Sequence, residues 1–156
     1  AYVTRMQLKS GQVFSADFPV FSREPAQVDG ENTASLELEG QPVFLLHVPS
    51  VLTFDLNGGE RNLYLEFGFM PGAHTGEGRT DGADYVVELL RPGQPARELY
   101  RRTLRPTTVP ADRGRHATDV TLPDVSPGDR LVVRTGVVEG GNESWGWTYV
   151  SRLTID

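Results

Sequence analysis

Cysteine is absent from these 156 residues. That removes disulfides, thiolate nucleophiles, iron–sulfur clusters and cysteine-type zinc sites at once. Lysine is nearly absent, with Lys9 alone; the other cations are arginines, scattered except around Arg97 to Arg115. With 15 Lys and Arg against 21 Asp and Glu, the net charge of −6 repels a phosphate backbone over most of the surface, so no nucleic-acid partner is expected. Long apolar runs are missing too. Stretches such as Val43-Phe44-Leu45-Leu46 fall far below the ~20 residues that cross a bilayer, and no membrane insertion is expected. Ala1-Tyr2-Val3-Thr4-Arg5 does not read as a signal peptide; such a start fits a processed chain or an excised domain equally. Helical periodicity is the last absence. No window of about eleven residues or more carries a 3.6-residue apolar stripe, and the best helix candidate, 113–119, is short and polar.

Turns and short extended runs are what the chain has in abundance. Glycine (17) and proline (11) are frequent, which divides the chain into many short elements. Strand candidates are 2–8, 12–20, 34–38, 43–48, 51–56, 62–69, 84–90, 97–103, 116–122, 130–135 and 148–155. Leu52, Phe54 and Leu56 alternate with Thr53 and Asp55; Leu63, Leu65, Phe67 and Phe69 alternate with Asn62, Tyr64 and Glu66. Period two of this kind packs one face and wets the other, as in antiparallel sheet. Leu56-Asn57-Gly58-Gly59-Glu60 reads as a hairpin between two such runs, and Arg91-Pro92-Gly93-Gln94-Pro95 as another. The expectation is an all-β fold, a β-sandwich of about eight main strands with its polar loops at the ends. Residues 22–33 read as a charged link and 70–83 as a long loop of the kind that often carries function. The length suits one domain, 1–156, attached to or excised from a larger protein.

Catalysis finds little support. His47, His74 and His116 stand far apart, in no H-x-H or H-E-x-x-H arrangement, and there is no G-x-S-x-G elbow. His47 reads either as a candidate ligand contact or as a strand-end histidine bonded within the fold. Glu66, Glu88, Asp81 and Asp84 cannot be paired across a cleft on sequence grounds, so no enzyme is expected. Asp81-Gly82-Ala83-Asp84 offers hard oxygen ligands, and a structural calcium on Asp81 and Asp84 is a candidate, with Asp29 and Glu31 as further ligands. An Asp-Gly turn explains the first pair without a metal.

The aromatic segment Ser144-Trp145-Gly146-Trp147-Thr148-Tyr149 is the more suggestive one. If the strand starts this early, both tryptophans and the tyrosine share a face, in phase with Leu153 and Ile155, and Trp147 belongs to the core. Trp145, beside the Gly140-Gly141-Asn142-Glu143 loop, is the one that reaches a surface. An indole there stacks on the apolar face of a sugar ring while Asn142 and Glu143 bond its hydroxyls; His47 and Arg101 are candidate contributors from neighbouring strands. The arginines of 101–105 and 113–115 read otherwise as ion pairs along strand edges.

Several segments together resemble the NPCBM-type carbohydrate-binding domains. These are Leu46-His47-Val48-Pro49-Ser50-Val51-Leu52-Thr53-Phe54, Phe67-Gly68-Phe69-Met70-Pro71-Gly72-Ala73, Thr80-Asp81-Gly82-Ala83-Asp84-Tyr85 and the closing Trp145-Gly146-Trp147-Thr148-Tyr149-Val150. The likeness runs from about Val43 to Ile155, with Ser144 where the family often has aspartate. It implies a galactose-binding-like jelly roll, a histidine closing an early strand (His47), a D-G segment opening a central one (Asp81-Gly82), and terminal tryptophans on the last (Trp145, Trp147). It also implies an accessory module of a bacterial extracytoplasmic protein, periplasmic or secreted, binding carbohydrate or contacting other domains of the same polypeptide. A structural or protein-interaction domain without sugar binding is the alternative.

Overall fold

The structure, a computed structural model, describes residues 18–156. Ten strands are found among them: β1 (Gln27–Gly30), β2 (Thr33–Leu38), β3 (Gln41–His47), β4 (Ser50–Asp55), β5 (Asn62–Phe69), β6 (Ala83–Leu90), β7 (Arg97–Leu104), β8 (Arg115–Thr121), β9 (Arg130–Val137) and β10 (Trp147–Ile155). They form two five-stranded antiparallel sheets, ordered β1-β4-β9-β6-β7 and β2-β3-β10-β5-β8. The helical content among the described residues is two three-residue 3-10 turns, Pro71–Ala73 and Pro110–Asp112. The all-β sandwich expected from the alternation is therefore present.

The alternating runs supply the core. Leu52 and Phe54 of β4 face Leu63, Leu65, Phe67 and Phe69 of β5 across the sandwich, joined by Val87 and Leu89 of β6 and Leu131 and Val133 of β9, all buried. A polar bridge crosses the same space. Tyr85 on β6 is fully buried, and its hydroxyl donates to the carbonyl oxygens of Gly68 (2.7 Å) and Tyr149 (2.9 Å) in the opposite sheet. Burial pushes this phenol well above the ordinary tyrosine range, so it stays a donor.

Four expectations need correction. The 22–33 link contains a strand, β1, which pairs with β4 through Gln27↔Thr53 to Gly30↔Ser50. It is an exposed edge strand, and so it carries no buried alternation. Asn57-Gly58 is not a hairpin turn, since β4 and β5 belong to different sheets. There the chain crosses the sandwich around the buried Glu60 carboxylate, which accepts from the N–H groups of Asn57 (2.8 Å) and Gly58 (2.7 Å). The Arg91–Pro95 turn, by contrast, does join paired strands β6 and β7. Thirdly, Trp147 and Tyr149 are out of phase with Leu153 and Ile155. A bulge between Val150 and Arg152 shifts the register of β10 against β5, so Val150, Leu153 and Ile155 point inward and Tyr149 outward. The strand candidate 2–8 lies outside the described residues; of 12–20 only 18–20 are described, and 19–20 form a turn rather than a strand.

On the outward side of β10, Tyr149 is still only 2% exposed. Its ring lies across Gly68 of β5, where an added Cβ would come within 2.8 Å of the phenolic oxygen and 2.5 Å of the Gly114 carbonyl. Gly68 is thus required by a close approach of ring and backbone rather than by a turn.

Candidate functional site

The register of β6 builds the site. Ala83 opens that strand between Leu104, the last residue of β7, and Val137, the last of β9. Residues just before 83 must therefore lie beside those just after 104 and 137. The loops 79–82, 105–108 and 138–141 accordingly enclose a recess of about 300 Å³, lined by Arg79, Thr80, Asp81, Arg105, Thr107 and Glu139 among others. β10 begins and β3 and β5 end here too, through Trp147↔His47 and Thr148↔Phe69.

The long 70–82 loop is held by its own bonds. The Thr80 N–H donates to the Ala73 carbonyl at 3.0 Å, and the Gly78 N–H to Thr75 at 2.9 Å. Gly78 packs so closely on Gly72 and Ala73 that a Cβ would meet the Gly72 carbonyl. Ala73 and Thr80 are buried, which anchors both arms of the loop. Within it His74 is held below the usual imidazole range, by burial first and then by the nearby Arg113 guanidinium. It is therefore neutral at physiological pH.

Asp81 connects this loop to the aromatic one. Its Oδ2 accepts from the Asn142 backbone N–H at 2.9 Å, and the Asn142 side-chain oxygen accepts from the Ser144 N–H at 2.9 Å. The Gly146 N–H closes a tight turn onto the Glu143 carbonyl at 3.0 Å. Trp145 sits in that turn with φ +60° and its side chain 42% exposed. The strand starts only at Trp147, so Trp145 is diverted from the strand face that simple alternation gives it. A bulky residue in the left-handed region is unusual, and such conformations gather at functional sites.

The structure brings Trp145, Asn142, Glu143 and Asp81 together at one end. His47 is at the same end but meets the other tryptophan: its ring stands edge-on to Trp147, centroids 4.6 Å apart, and its Nδ1 donates to the Val48 carbonyl at 2.9 Å. Trp147 is half-buried and packs against the core. Arg101 is elsewhere. It lies along β7 opposite Val86, ion-paired with Glu98 (2.9 Å) and Asp84 (3.2 Å), so the strand-edge reading describes it.

Asp81 and Asp84 do not converge. The Asp84 carboxylate, on the outward face of β6, accepts from the Thr103 hydroxyl and from Arg101, while Asp81 turns to Asn142. Asp29 lies on β1, three strands from β6 in the sheet, a separation of about 14 Å at ~4.8 Å per strand. Among the described residues no three His, Asp or Glu side chains gather where one ion could be held.

Sequence reasoning did not find Arg79, Thr107 or Glu139 as site residues. They acquire a common location only through the Ala83 register, which no local pattern announces.

No protein-family model matches this sequence. No curated protein matches it either. Solved structures do resemble it. A family 61 carbohydrate-binding module in complex with β-1,4-galactotriose superposes with TM-score 0.54 at 9% identity, over 92% of this chain and 96% of that one. The family 51 carbohydrate-binding modules beside the M60 catalytic domain of ZmpB from Clostridium perfringens give 0.56 at 14% identity over 85% of this chain, which spans only 14% of that longer protein. A family 6 carbohydrate-binding module gives 0.50 at 7% identity, over 85% and 88%. The fold is thus the galactose-binding-like β-sandwich that these carbohydrate-binding modules use. None of the described helices is long and apolar enough to cross a membrane.

Proposed function

We propose that this chain is a non-catalytic carbohydrate-binding module of the NPCBM type, carried by a bacterial extracytoplasmic protein. The observation that carries the reading is Trp145. A large aromatic side chain, 42% exposed, is held at positive φ on the same 138–146 loop that walls the recess. Burial of the ring does not account for that placement; presenting it to a ligand does. An indole face binds the apolar C–H side of a pyranose. The Asn142 amide, whose oxygen is already used on Ser144, offers its N–H donors to hydroxyls, and the exposed Glu143 carboxylate accepts from others. His47 serves this arrangement indirectly, by buttressing Trp147 at the base of the loop.

A hydrated ligand gripped by one ring face and a few polar groups binds weakly. The expected Kd is micromolar to millimolar, about −8 to −4 kcal/mol. Screening the chain on a broad array of immobilised glycans tests the reading: retention on a defined subset supports it, and no retention on any glycan favours the interaction-domain alternative.

A further inference from the structure

The cations of this acidic chain are unevenly committed. Arg101, Arg102, Arg130 and Arg134, along the sheet, are each matched to a carboxylate: Glu98 and Asp84, Asp112, Asp55, and Glu88. Arg79 and Arg105, on adjoining walls of the recess, have no carboxylate partner among the described residues. Their bonds go to backbone carbonyls. Arg79 Nη1 donates to Gly76 (3.0 Å) and Gly78 (2.8 Å), and Arg105 Nη1 reaches the Asp81 carbonyl at 3.5 Å. Each bond fixes a guanidinium through one terminal nitrogen and leaves the Nε–Nη2 edge open, the edge that grips a planar carboxylate with two parallel bonds. Two carboxylates also line the recess: Asp81 is turned to the Asn142 N–H, and the exposed Glu139 makes no ion pair among the described residues.

We infer that the recess takes an anionic sugar, a hexuronate unit whose carboxylate is held by Arg79 and Arg105 while the neutral part of the saccharide meets the Trp145 loop. The inference rests on the carbohydrate-binding reading and narrows it to a substrate class. About 300 Å³ is near the lower end of ligand pockets and suits one sugar unit. The net charge of −6 repels a densely charged polymer but not a single acidic residue in an otherwise neutral chain. The preferred ligand is therefore a terminal or isolated uronate.

The test is calorimetric titration of the chain with three matched oligosaccharides: one ending in a uronate, its carboxyl-reduced neutral counterpart, and a sulfated counterpart. The uronate should bind about tenfold or more tighter than the neutral sugar, as charge-assisted bonds do. The preference should shrink as salt rises. Arg79→Gln and Arg105→Gln should each abolish most of it at unchanged melting temperature, while Arg97→Gln, an exposed position on the far end of β7, should leave it intact. Equal affinity for uronate and neutral sugar overturns the inference and leaves the carbohydrate reading standing. Tighter binding of the sulfated sugar overturns the carboxylate assignment. Binding of none of the three overturns this inference and counts against the carbohydrate reading too.

Discussion

The Asp81 carboxylate accepts the backbone N–H of Asn142 at 2.9 Å, across 61 positions of sequence. This bond ties the long 70–82 loop to the loop that presents Trp145. Asp81 is exposed and tolerant of change on stability grounds, yet its removal frees the aromatic loop. Asp81→Ala should therefore lower the melting temperature only slightly, at a cost of about 1 kcal/mol, and weaken glycan binding severalfold. Asp81→Asn keeps an acceptor oxygen and should retain most of the binding. Denaturant unfolding and titration of the same samples separate the two effects.

Trp145 and Trp147 should divide stability from binding. Trp145 holds a left-handed conformation at φ +60°, which costs an L-residue roughly 1–2 kcal/mol. Trp145→Gly releases that strain and loses comparable chain entropy on folding, so its stability should stay within about 1 kcal/mol of the parent. Trp147, packed on the core and on His47, is only half-buried, so Trp147→Ala should cost roughly 2–4 kcal/mol, toward the lower side of the aromatic range. Chemical denaturation of both variants checks the contrast.

Acid should loosen the sheet-to-sheet crossing at Glu60. The carboxylate is 7% exposed and accepts from the Asn57 and Gly58 N–H groups and from Arg23 Nη1 at 2.7 Å. Burial alone raises its pKa; these donors, together with the residue's own backbone N–H, outweigh it and bring the value down to about 2. Because the folded value lies below the unfolded one, the contribution is complete above about pH 4.5 and is lost as pH falls toward 2. It amounts to on the order of 3 kcal/mol. Glu60→Gln should flatten the pH dependence of the melting temperature between about pH 2 and 5.

Calcium should leave this sandwich unchanged. Asp84 is engaged with Thr103 and Arg101, and Asp81 with Asn142. Starting from a chelated sample, the melting temperature should not move at millimolar calcium; a rise would reveal a site occupied only in the fold.

How much of this was legible in the sequence depends on whether a residue's neighbours are local. The alternation of Leu63, Leu65, Phe67 and Phe69 predicted both a strand and its buried face, and all four are buried. Pro92-Gly93 announced a true hairpin. Asn57-Gly58 misled, because turn chemistry says the chain bends but not into which sheet it continues. The inward phase of β10 was hidden by the bulge at Ser151, which no composition marks. For the site, an exposed Trp145 beside Asn142 and Glu143 followed from the glycines around it. Its junction with Asp81, Arg79 and Arg105 did not, because it depends on Ala83 being flanked by Leu104 and Val137.

The central claim, that a saccharide binds at the Trp145 end of the sandwich, is tested most directly by titrating glycans retained on the array while following intrinsic tryptophan fluorescence. The parent chain should show a saturable shift with a micromolar to millimolar Kd, and Trp145→Ala should lose most of the affinity while keeping its circular dichroism spectrum and melting temperature. Saturable binding of equal affinity in parent and Trp145→Ala would contradict the account, because the saccharide would then bind somewhere other than the loop that the fold builds around that ring.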